Sequence, residues 1–147
     1  MDVHNTATRS FNMSRIKAKD TKPELLVRRF LFAQGFRYRL HVKTLPGKPD
    51  IVLPKYKTVI FIHGCFFHGH EGCRYFKVPA TRTQWWLDKI EGNKKRDIET
   101  VKKLTVLGWK VITIWECELK KDKMETVFDL IMNELKHNVF RSKLPAN

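Results

Sequence analysis

Apolar residues first become regular after residue 20, where they recur with the period of a helix. Thr21 can cap this helix, Pro23 falls in its first turn, and Glu24 stands at the capping-box position. The apolar face continues until Gly35 supplies a signal that ends the helix. Residues 1–20 show no such period, so we predict that they form an N-terminal arm.

The remaining pattern predicts two further helices and four strands. Helices are expected from residue 84 to about residue 107, before Gly108, and from about residue 120 to residue 137. Alternating or continuous apolar runs predict strands at residues 36–42, 50–53, 58–62 and 109–115. This order indicates an α/β domain with a central mixed sheet flanked by helices. We assign residues 21–140 to one domain and residues 141–147 to a C-terminal tail.

Length and composition agree with a single domain. The chain has 147 residues, of which 42% are hydrophobic, enough to bury a core. No apolar run approaches the roughly 18 residues of a membrane span, and the first residues lack the apolar stretch of a secretory signal. We therefore expect a cytoplasmic protein.

The charge balance points to a polyanionic partner. The formal net charge is +14, and residues 1–60 supply +9 of it, with 13 basic and 4 acidic side chains. A basic excess on a folded domain favours nucleic acid binding. A well-solvated surface is the alternative, because net charge does not define a site.

Asp50 is the first candidate for chemistry. It follows a loop rich in Gly and Pro and leads into a buried strand. A carboxylate in this position needs a cationic partner, and Mg²⁺ binds one or two carboxylates together with other oxygens. The alternative is a turn-forming Asp that accepts hydrogen bonds from nearby amides.

The segment 63–73 contains three His and two Cys within eleven residues. The spacing of Cys65, His70 and Cys73 suits a loop that wraps around Zn²⁺. Cys117, at the end of a later strand, can supply a fourth ligand, and every Cys of the chain is then used. A Cys₃His set is typical of a structural zinc site, whereas the alternative is three buried free thiols.

Two histidines of this segment, His63 and His68, are left beside Asp50 in the predicted fold, although His68 competes with His70 as the zinc ligand. A carboxylate and an imidazole around a cation are what phosphodiester hydrolysis requires, because the metal activates water and the histidine moves a proton.

Aromatic pairs lie among basic residues in the same part of the chain. Phe66-Phe67 falls in the cysteine-rich segment and Trp85-Trp86 at the start of the second helix. Aromatic rings next to cations can stack on bases or wedge between base pairs. Core packing is the alternative.

These motifs together strongly resemble the very short patch repair (Vsr) endonucleases. The likeness is greatest from His63-Gly64-Cys65-Phe66 through Val78-Pro79-Ala80-Thr81-Arg82 to Trp86. It extends to residues 2–4, 7–10, 46–50, 108–110 and 115–117. It covers roughly residues 1–120.

The resemblance implies a bacterial nicking enzyme with a restriction-endonuclease-like core. Such enzymes recognise the T:G mismatch left when 5-methylcytosine deaminates, and they cut the thymine strand 5′ to the mispaired T. Double-stranded DNA is then the partner, and a cytosine-5 methyltransferase is functionally linked. Mismatch-repair accessory proteins are possible further partners, and one domain with one site makes a monomer the simplest case.

The resemblance also assigns roles to residues. Asp50 and the Ile62 carbonyl correspond to the Mg²⁺ contacts, and His68 to the histidine that acts on water. His63 corresponds to a residue beside the phosphate, and Glu24 to one that supports the site. The implied zinc ligands are Cys65, His70, Cys73 and Cys117.

The implied DNA contacts fall into three sets. Phe66, Phe67 and Trp86 correspond to an aromatic wedge inserted beside the mismatch. Lys89 and Asn93 correspond to residues that read the T:G pair, and Met13 to a contact from the other groove. A wedge suits this substrate because a mismatched step costs less to unstack than a paired one.

The sequence departs from related patterns in three places. Phe61-Ile62-His63 stands where restriction-like cores usually carry an acid-x-Lys motif. The segment from Cys65 to Cys73 is one residue longer than the His-rich form of the motif, and Phe67 replaces a commoner Trp. Two other functions stay open: a restriction-like nuclease on paired DNA, and a non-catalytic zinc-dependent DNA-binding module.

Overall fold

The structure, a computed structural model, describes residues 20–142, with side chains from residue 20 to residue 136. The predicted arm up to residue 19, including Met13, lies outside the described residues, and so do residues 143–147 of the predicted tail. Within residues 20–142, no helix is both long enough and apolar enough to cross a membrane.

Three helices and four strands make up the described domain, in the predicted order. The helices are α1 (Lys22–Ala33), α2 (Thr83–Val106) and α3 (Met124–Ser142). The strands are β1 (Arg39–Leu40), β2 (Ile51–Leu53), β3 (Thr58–His63) and β4 (Lys110–Trp115). Short 3₁₀ turns follow β2 and β4, at Pro54–Tyr56 and Glu116–Leu119. The prediction of a mixed α/β domain is confirmed.

The four strands form one mixed sheet in the order β1-β2-β3-β4. β1 and β2 are antiparallel, as are β2 and β3, whereas β3 and β4 run parallel with Ile62 opposite Ile114. A parallel pair needs a long crossover connection, and α2 lies within it. The chain therefore returns from the end of β3 through the cysteine-rich segment and α2 before it enters β4.

The predicted strand at residues 36–42 is wrong in extent, because only Arg39 and Leu40 pair with β2. Phe36 instead packs edge-on against the Tyr56 ring, with 5.2 Å between the centroids. At the other end His41 has a left-handed backbone, with φ of 50°, which ends the extended conformation. The alternating pattern therefore indicates burial of single residues here and not a long strand.

Apolar side chains cover both faces of the sheet. One face, with Ile60 and Ile112, packs against α1 and α3 through residues such as Leu31 and Ile131. The other face packs with Leu104 of α2. Helices on both faces fix the sheet as the central layer, so the ends of β2 and β3 form a rigid base for the residues that follow them.

Candidate active site

Asp50 lies immediately before β2, next to β3. Its Oδ2 accepts the Ile62 N–H at 2.7 Å, a contact made possible by the antiparallel pairing of β2 with β3. Burial raises the pKa of Asp50 to about 6, the Ile62 hydrogen bond opposes this rise, and the Glu24 carboxylate adds to it. The carboxyl group of Asp50 is therefore costly to ionise without a cation.

Glu24 is buried on α1, with 1% of its surface exposed. The Thr21 hydroxyl accepts the Glu24 N–H at 3.4 Å, which agrees with the predicted cap. The Glu24 carboxylate does not complete the capping box, because its Oε2 accepts the Asp20 N–H at 3.1 Å. The same oxygen lies 3.0 Å from Arg28 Nη1 and 3.1 Å from His41 Nε2, so the carboxylate is held by three donors.

Sequence reasoning missed Arg28 and His41. Arg28 also pairs with Asp20 at 2.8 Å, and this guanidinium holds the pKa of Asp20 below its usual value. The αL turn at His41 brings its imidazole back to Glu24, seventeen residues away. No local period signals such a contact.

His63 and His68 stack face to face beside this group. Their ring centroids are 3.8 Å apart and the planes differ by 2°. His68 Nδ1 lies 2.8 Å from Asp97 Oδ2, and because a carboxylate only accepts, Nδ1 carries the proton. In the neutral imidazole with the proton on Nδ1, the lone pair lies on Nε2.

His63 is 8% exposed, and its Nδ1 has no hydrogen-bond partner among the described side chains and backbone. Burial and, to a smaller extent, the neighbouring His68 lower the pKa of His63 to about 4, while Asp97 opposes the shift. His63 is therefore neutral near pH 7.

Asp97 is a site residue that sequence reasoning did not find. It follows the basic run Lys94–Arg96, and in the sequence it is typical of a single acidic residue that balances part of their charge. The available signal is its position on α2, four residues after Asn93 and therefore on the same helix face.

The four residues suggested as zinc ligands come together beside Trp115. The ligand atoms of Cys65, His70, Cys73 and Cys117 all lie within 4.8 Å of one another, with Cys117 Sγ 3.4 Å from His70 Nδ1. The His70 ring stacks on Trp115 with centroids 4.1 Å apart. Three sulfurs and one imidazole nitrogen are a donor set that Zn²⁺ accepts in structural sites.

The thiols of this cluster differ in their surroundings. Burial raises the pKa of Cys65 to about 12 and also raises the pKa of Cys117. The Tyr75 N–H lowers the pKa of Cys73, which lies at the edge of the cluster. Buried thiols held this close are costly to ionise alone, and a bound cation removes that cost.

The segment 64–73, here called the cysteine loop, is attached to α2 at several points. The Asn93 amide donates to the Phe67 carbonyl at 2.8 Å, and Lys94 pairs with Glu71 at 2.6 Å. Gly69 has φ of 62°, and a Cβ there would lie 2.7 Å from Ile90 Cγ2. At its start the loop is tied to the segment after β4, since Glu116 accepts the Cys65 N–H at 3.2 Å.

Four aromatic rings form a continuous row from the cysteine loop to α2. Phe67, Phe66, Trp86 and Trp85 follow one another with centroid separations of 5.1, 5.3 and 4.8 Å. Trp85 ends the row, is 44% exposed and lies 5.3 Å from Lys89 Nζ. The structure thus brings together the three residues suggested as a wedge, and it places Lys89 at the outer end.

Three cavities open on the stacked histidines. One, of about 380 Å³, is lined by Asp50, Lys48 and Arg96 as well as His63, His68 and Asp97. A second, of about 560 Å³, lies between α2 and β4 and is more apolar. A third, of about 500 Å³, is lined by Glu24, Phe66 and Phe67 as well as by Asp50 and the two histidines. The imidazoles are therefore reachable by an ion or a substrate.

Comparison with known proteins yields close relatives. The sequence profile of the DNA mismatch endonuclease Vsr matches residues 1–74. Over 119 residues the chain is 56% identical to the type II nicking enzyme V.NmeAIP of Neisseria meningitidis, covering 81% of this chain and 84% of that relative. It is 49% identical to the DNA mismatch endonuclease Vsr of Escherichia coli over 119 residues, covering 81% and 76%. With the type II nicking enzyme V.NaeI of Lentzea aerocolonigenes it shares 36% identity over 136 residues, covering 89% and 80%.

Proposed function

Since this chain belongs to the Vsr family of DNA mismatch endonucleases and is therefore a nuclease, we propose that it nicks the thymine strand of a T:G mismatch 5′ to the mispaired T. The reaction is Mg²⁺-dependent hydrolysis of one phosphodiester bond. One observation carries this proposal: the Asp50 carboxylate and the His63–His68–Asp97 group line a single cavity.

Asp50 and the carbonyl of Ile62 would hold Mg²⁺, and Asp50 fits because its buried carboxylate is oriented by the Ile62 N–H. When bound, Mg²⁺ neutralises charge on the phosphate and lowers the pKa of a water ligand. Glu24, fixed by Arg28 and His41, adds negative charge that favours a cation at Asp50. It thereby supports the site without binding substrate.

His68 is the proposed general base. Asp97 fixes its orientation through Nδ1, so that the Nε2 lone pair can accept a proton from the attacking water. Water supplies the oxygen of the new P–O bond, and the leaving oxygen departs with the other end of the cut strand. His63 is buried and neutral, and we assign it to the phosphate side of the site.

We assign Zn²⁺ to the cluster of Cys65, His70, Cys73 and Cys117, in a structural role. The donor set and the close approach of the ligand atoms support this assignment. The fold is proposed to be a restriction-endonuclease-like core, which the antiparallel β2–β3 pair, the α2 crossover and the parallel β4 support.

Phe66, Phe67 and Trp86 are proposed as the wedge at the mismatch, because they form part of one aromatic row beside the histidines. Lys89 and Asn93 are proposed to read the T:G pair. In the structure both polar ends of Asn93 are engaged, by the Phe67 carbonyl and by Arg96. Asn93 must therefore exchange at least one of these partners for a base edge.

The remaining parts of the proposal concern the surroundings of the enzyme. Residues 1–20, with Met13, are assigned to an arm that contacts the DNA from the groove opposite the wedge. A cytosine-5 methyltransferase would generate the base whose deamination creates the substrate, and mismatch-repair accessory proteins are further candidate partners. We propose that the enzyme acts as a monomer in the cytoplasm, where bacterial DNA lies.

The test is to separate binding from cleavage with Asp50→Ala. On a duplex with a T:G mismatch and Mg²⁺, this variant should lose at least about 10³-fold in nicking rate, equivalent to about 4 kcal/mol of barrier. Its affinity for the same duplex should stay within about threefold, because Asp50 does not belong to the aromatic row. Asp129→Ala, an exposed change on α3, is the matched control and should nick normally. Nicking by Asp50→Ala within tenfold of the unchanged chain would contradict the assignment.

A further inference from the structure

We propose that His63, His68 and Asp97 form a second transition-metal site that takes Zn²⁺ or a similar borderline ion and, when filled, switches the enzyme off. This site is separate from the cysteine cluster and from the oxygen ligands proposed for Mg²⁺. The claim of inhibition rests on the proposed function, whereas the claim of binding does not.

The spacing of the atoms already suits one ion. The ligand atoms of His63, His68 and Asp97 lie within 4.8 Å of one another. His68 Nδ1 and Asp97 Oδ2 are 2.8 Å apart. Two ligands of a tetrahedral ion, each at about 2.0–2.1 Å, are separated by about 3.3 Å. A metal ion can therefore replace the proton between these two atoms if they move apart by about 0.5 Å.

His63 provides an independent reason to expect a ligand. Its Nδ1 is buried and has no hydrogen-bond partner among the described residues. Buried polar atoms are nearly always satisfied, and an exception in a native fold marks a missing partner. Because the two rings are parallel with centroids 3.8 Å apart, the His63 ring must tilt to bring Nδ1 to an ion held by His68 and Asp97. An ion held by His68 and Asp97 would supply the missing partner.

The donor types select the kind of ion. Two imidazole nitrogens and one carboxylate oxygen suit Zn²⁺, Co²⁺ or Cu²⁺, whereas Mg²⁺ prefers oxygen ligands and keeps its waters. Three protein ligands also leave open positions for water. The cavities on either side of the histidines, of about 380 and 560 Å³, give an ion access.

A second group of similar composition already has a cationic side chain at the position that a metal ion would take. Asp20, Glu24 and His41 also bring three possible ligand atoms together. There, however, Arg28 Nη1 already lies 2.8 Å from Asp20 and 3.0 Å from Glu24. Among the described side chains, no Lys or Arg forms an ion pair with Asp97. The cationic position is thus occupied in one group and available in the other.

Binding would inhibit by moving a proton. Once Nδ1 of His68 is bonded to the ion, the neutral imidazole carries its one proton on Nε2. The proton moves from Nδ1 to Nε2 through solvent, and no net proton is gained or lost. Nε2 then has no lone pair to accept a proton from water, so the proposed general base is lost while DNA binding remains.

The binding claim is tested by metal content. The full-length protein is equilibrated with buffered free Zn²⁺, and bound zinc is counted by mass spectrometry. Two ions per chain are expected for the unchanged protein, and one for His68→Ala or Asp97→Ala. His41→Ala is the matched control from the other group and should keep two. A variant that keeps the first ion has kept the cysteine cluster, so loss of the second is not a failure to fold.

Co²⁺ added to protein with one bound Zn²⁺ gives a second readout. The site proposed here should produce weak visible bands without thiolate charge transfer, and Asp97→Asn should weaken Co²⁺ binding at least tenfold. One zinc per chain in the unchanged protein, or loss of the second ion in His41→Ala alone, would overturn the proposal.

The inhibition claim is tested by nicking assays with Mg²⁺ and increasing buffered Zn²⁺. Nicking should fall with a midpoint that matches the affinity of the second ion, and a mild chelator should restore it. Full activity with the second ion bound would overturn the claim of a switch. If no mismatched duplex is nicked at all, the proposed function fails, and the zinc count still decides the binding claim.

Discussion

Asp50 is the residue on which the proposed hydrolysis depends most. Burial and the nearby Glu24 carboxylate both disfavour its charged form, and only the Ile62 N–H and more distant histidines oppose them. The protein thus holds an acid whose pKa is about 6, above its ordinary value of 3.8. Such a group is poised to exchange a proton for a metal ion near neutral pH.

A pH dependence follows from this residue. The ionised form of Asp50 binds Mg²⁺, so nicking at fixed Mg²⁺ should rise as the pH passes through about 6 and then level off. Because Mg²⁺ competes with the proton, a tenfold increase in Mg²⁺ should shift the midpoint downward, by up to about one pH unit. Rate profiles at two Mg²⁺ concentrations check this. If the midpoint pH is the same at both Mg²⁺ concentrations, a group other than Asp50 controls the pH dependence of the rate.

The cysteine loop and α2 act as one unit. His68 meets Asp97, the Phe67 carbonyl meets Asn93, and Glu71 meets Lys94, although each pair is more than twenty residues apart in the chain. The loop therefore carries the proposed base and the two phenylalanines of the proposed wedge, and the helix fixes their orientation. These contacts explain how an irregular segment can position reactive groups.

Gly69 and Gly72 provide a matched test of this unit. Both have positive φ, so an alanine is strained at either position. A Cβ at Gly69 would meet Ile90 and Lys94 of α2 at 2.7 and 2.9 Å, whereas a Cβ at Gly72 meets nothing within 4 Å. Gly69→Ala should therefore lower the nicking rate by about tenfold or more relative to Gly72→Ala. Equal rates for the two variants would show that contact between loop and helix does not align His68.

The proposed zinc site joins the loop to the segment after β4, since Cys117 follows that strand. Cys73→Ser should release zinc and lower the melting temperature by about 5 °C or more, because the loop has little core of its own. Glu71→Gln, an exposed change in the same loop, is the control and should keep its zinc. Metal analysis and thermal melts check both. An unchanged melting temperature in Cys73→Ser would contradict a structural role.

At the scale of the molecule, the sequence predicted the elements well and the contacts between them less well. Periodicity located α1, β3 and β4 to within one or two residues, since each is a regular run that packs one or both faces. Gly92 leaves α2 unbroken, because the cost of one glycine is small in a helix of 24 residues. The predicted strand at residues 36–42 is too long because Phe36 is buried by packing on Tyr56 and not by pairing with a neighbouring strand.

The residues of the candidate site also fall into a set that the sequence suggested and a set that it did not. The sequence singled out Asp50, His63 and His68 as candidates because Asp50 leads into a buried strand and both histidines fall in a dense motif. Asp97, Arg28 and His41 were not singled out, because each acts through a partner distant in the chain. Contacts across a fold depend on topology, and no local pattern of a single sequence encodes them.

The most direct test of the account is strand-resolved cleavage of two end-labelled duplexes, identical except for a T:G or a C:G pair. Both are assayed with Mg²⁺ and with EDTA, in several methyltransferase recognition contexts so that an unsuitable flank does not pass for inactivity. The account predicts a Mg²⁺-dependent nick on the thymine strand of the T:G duplex alone, 5′ to the mispaired T. Cleavage of both duplexes would contradict it in favour of a restriction-like nuclease. Tight binding without cleavage in every context would contradict it in favour of a DNA-binding module.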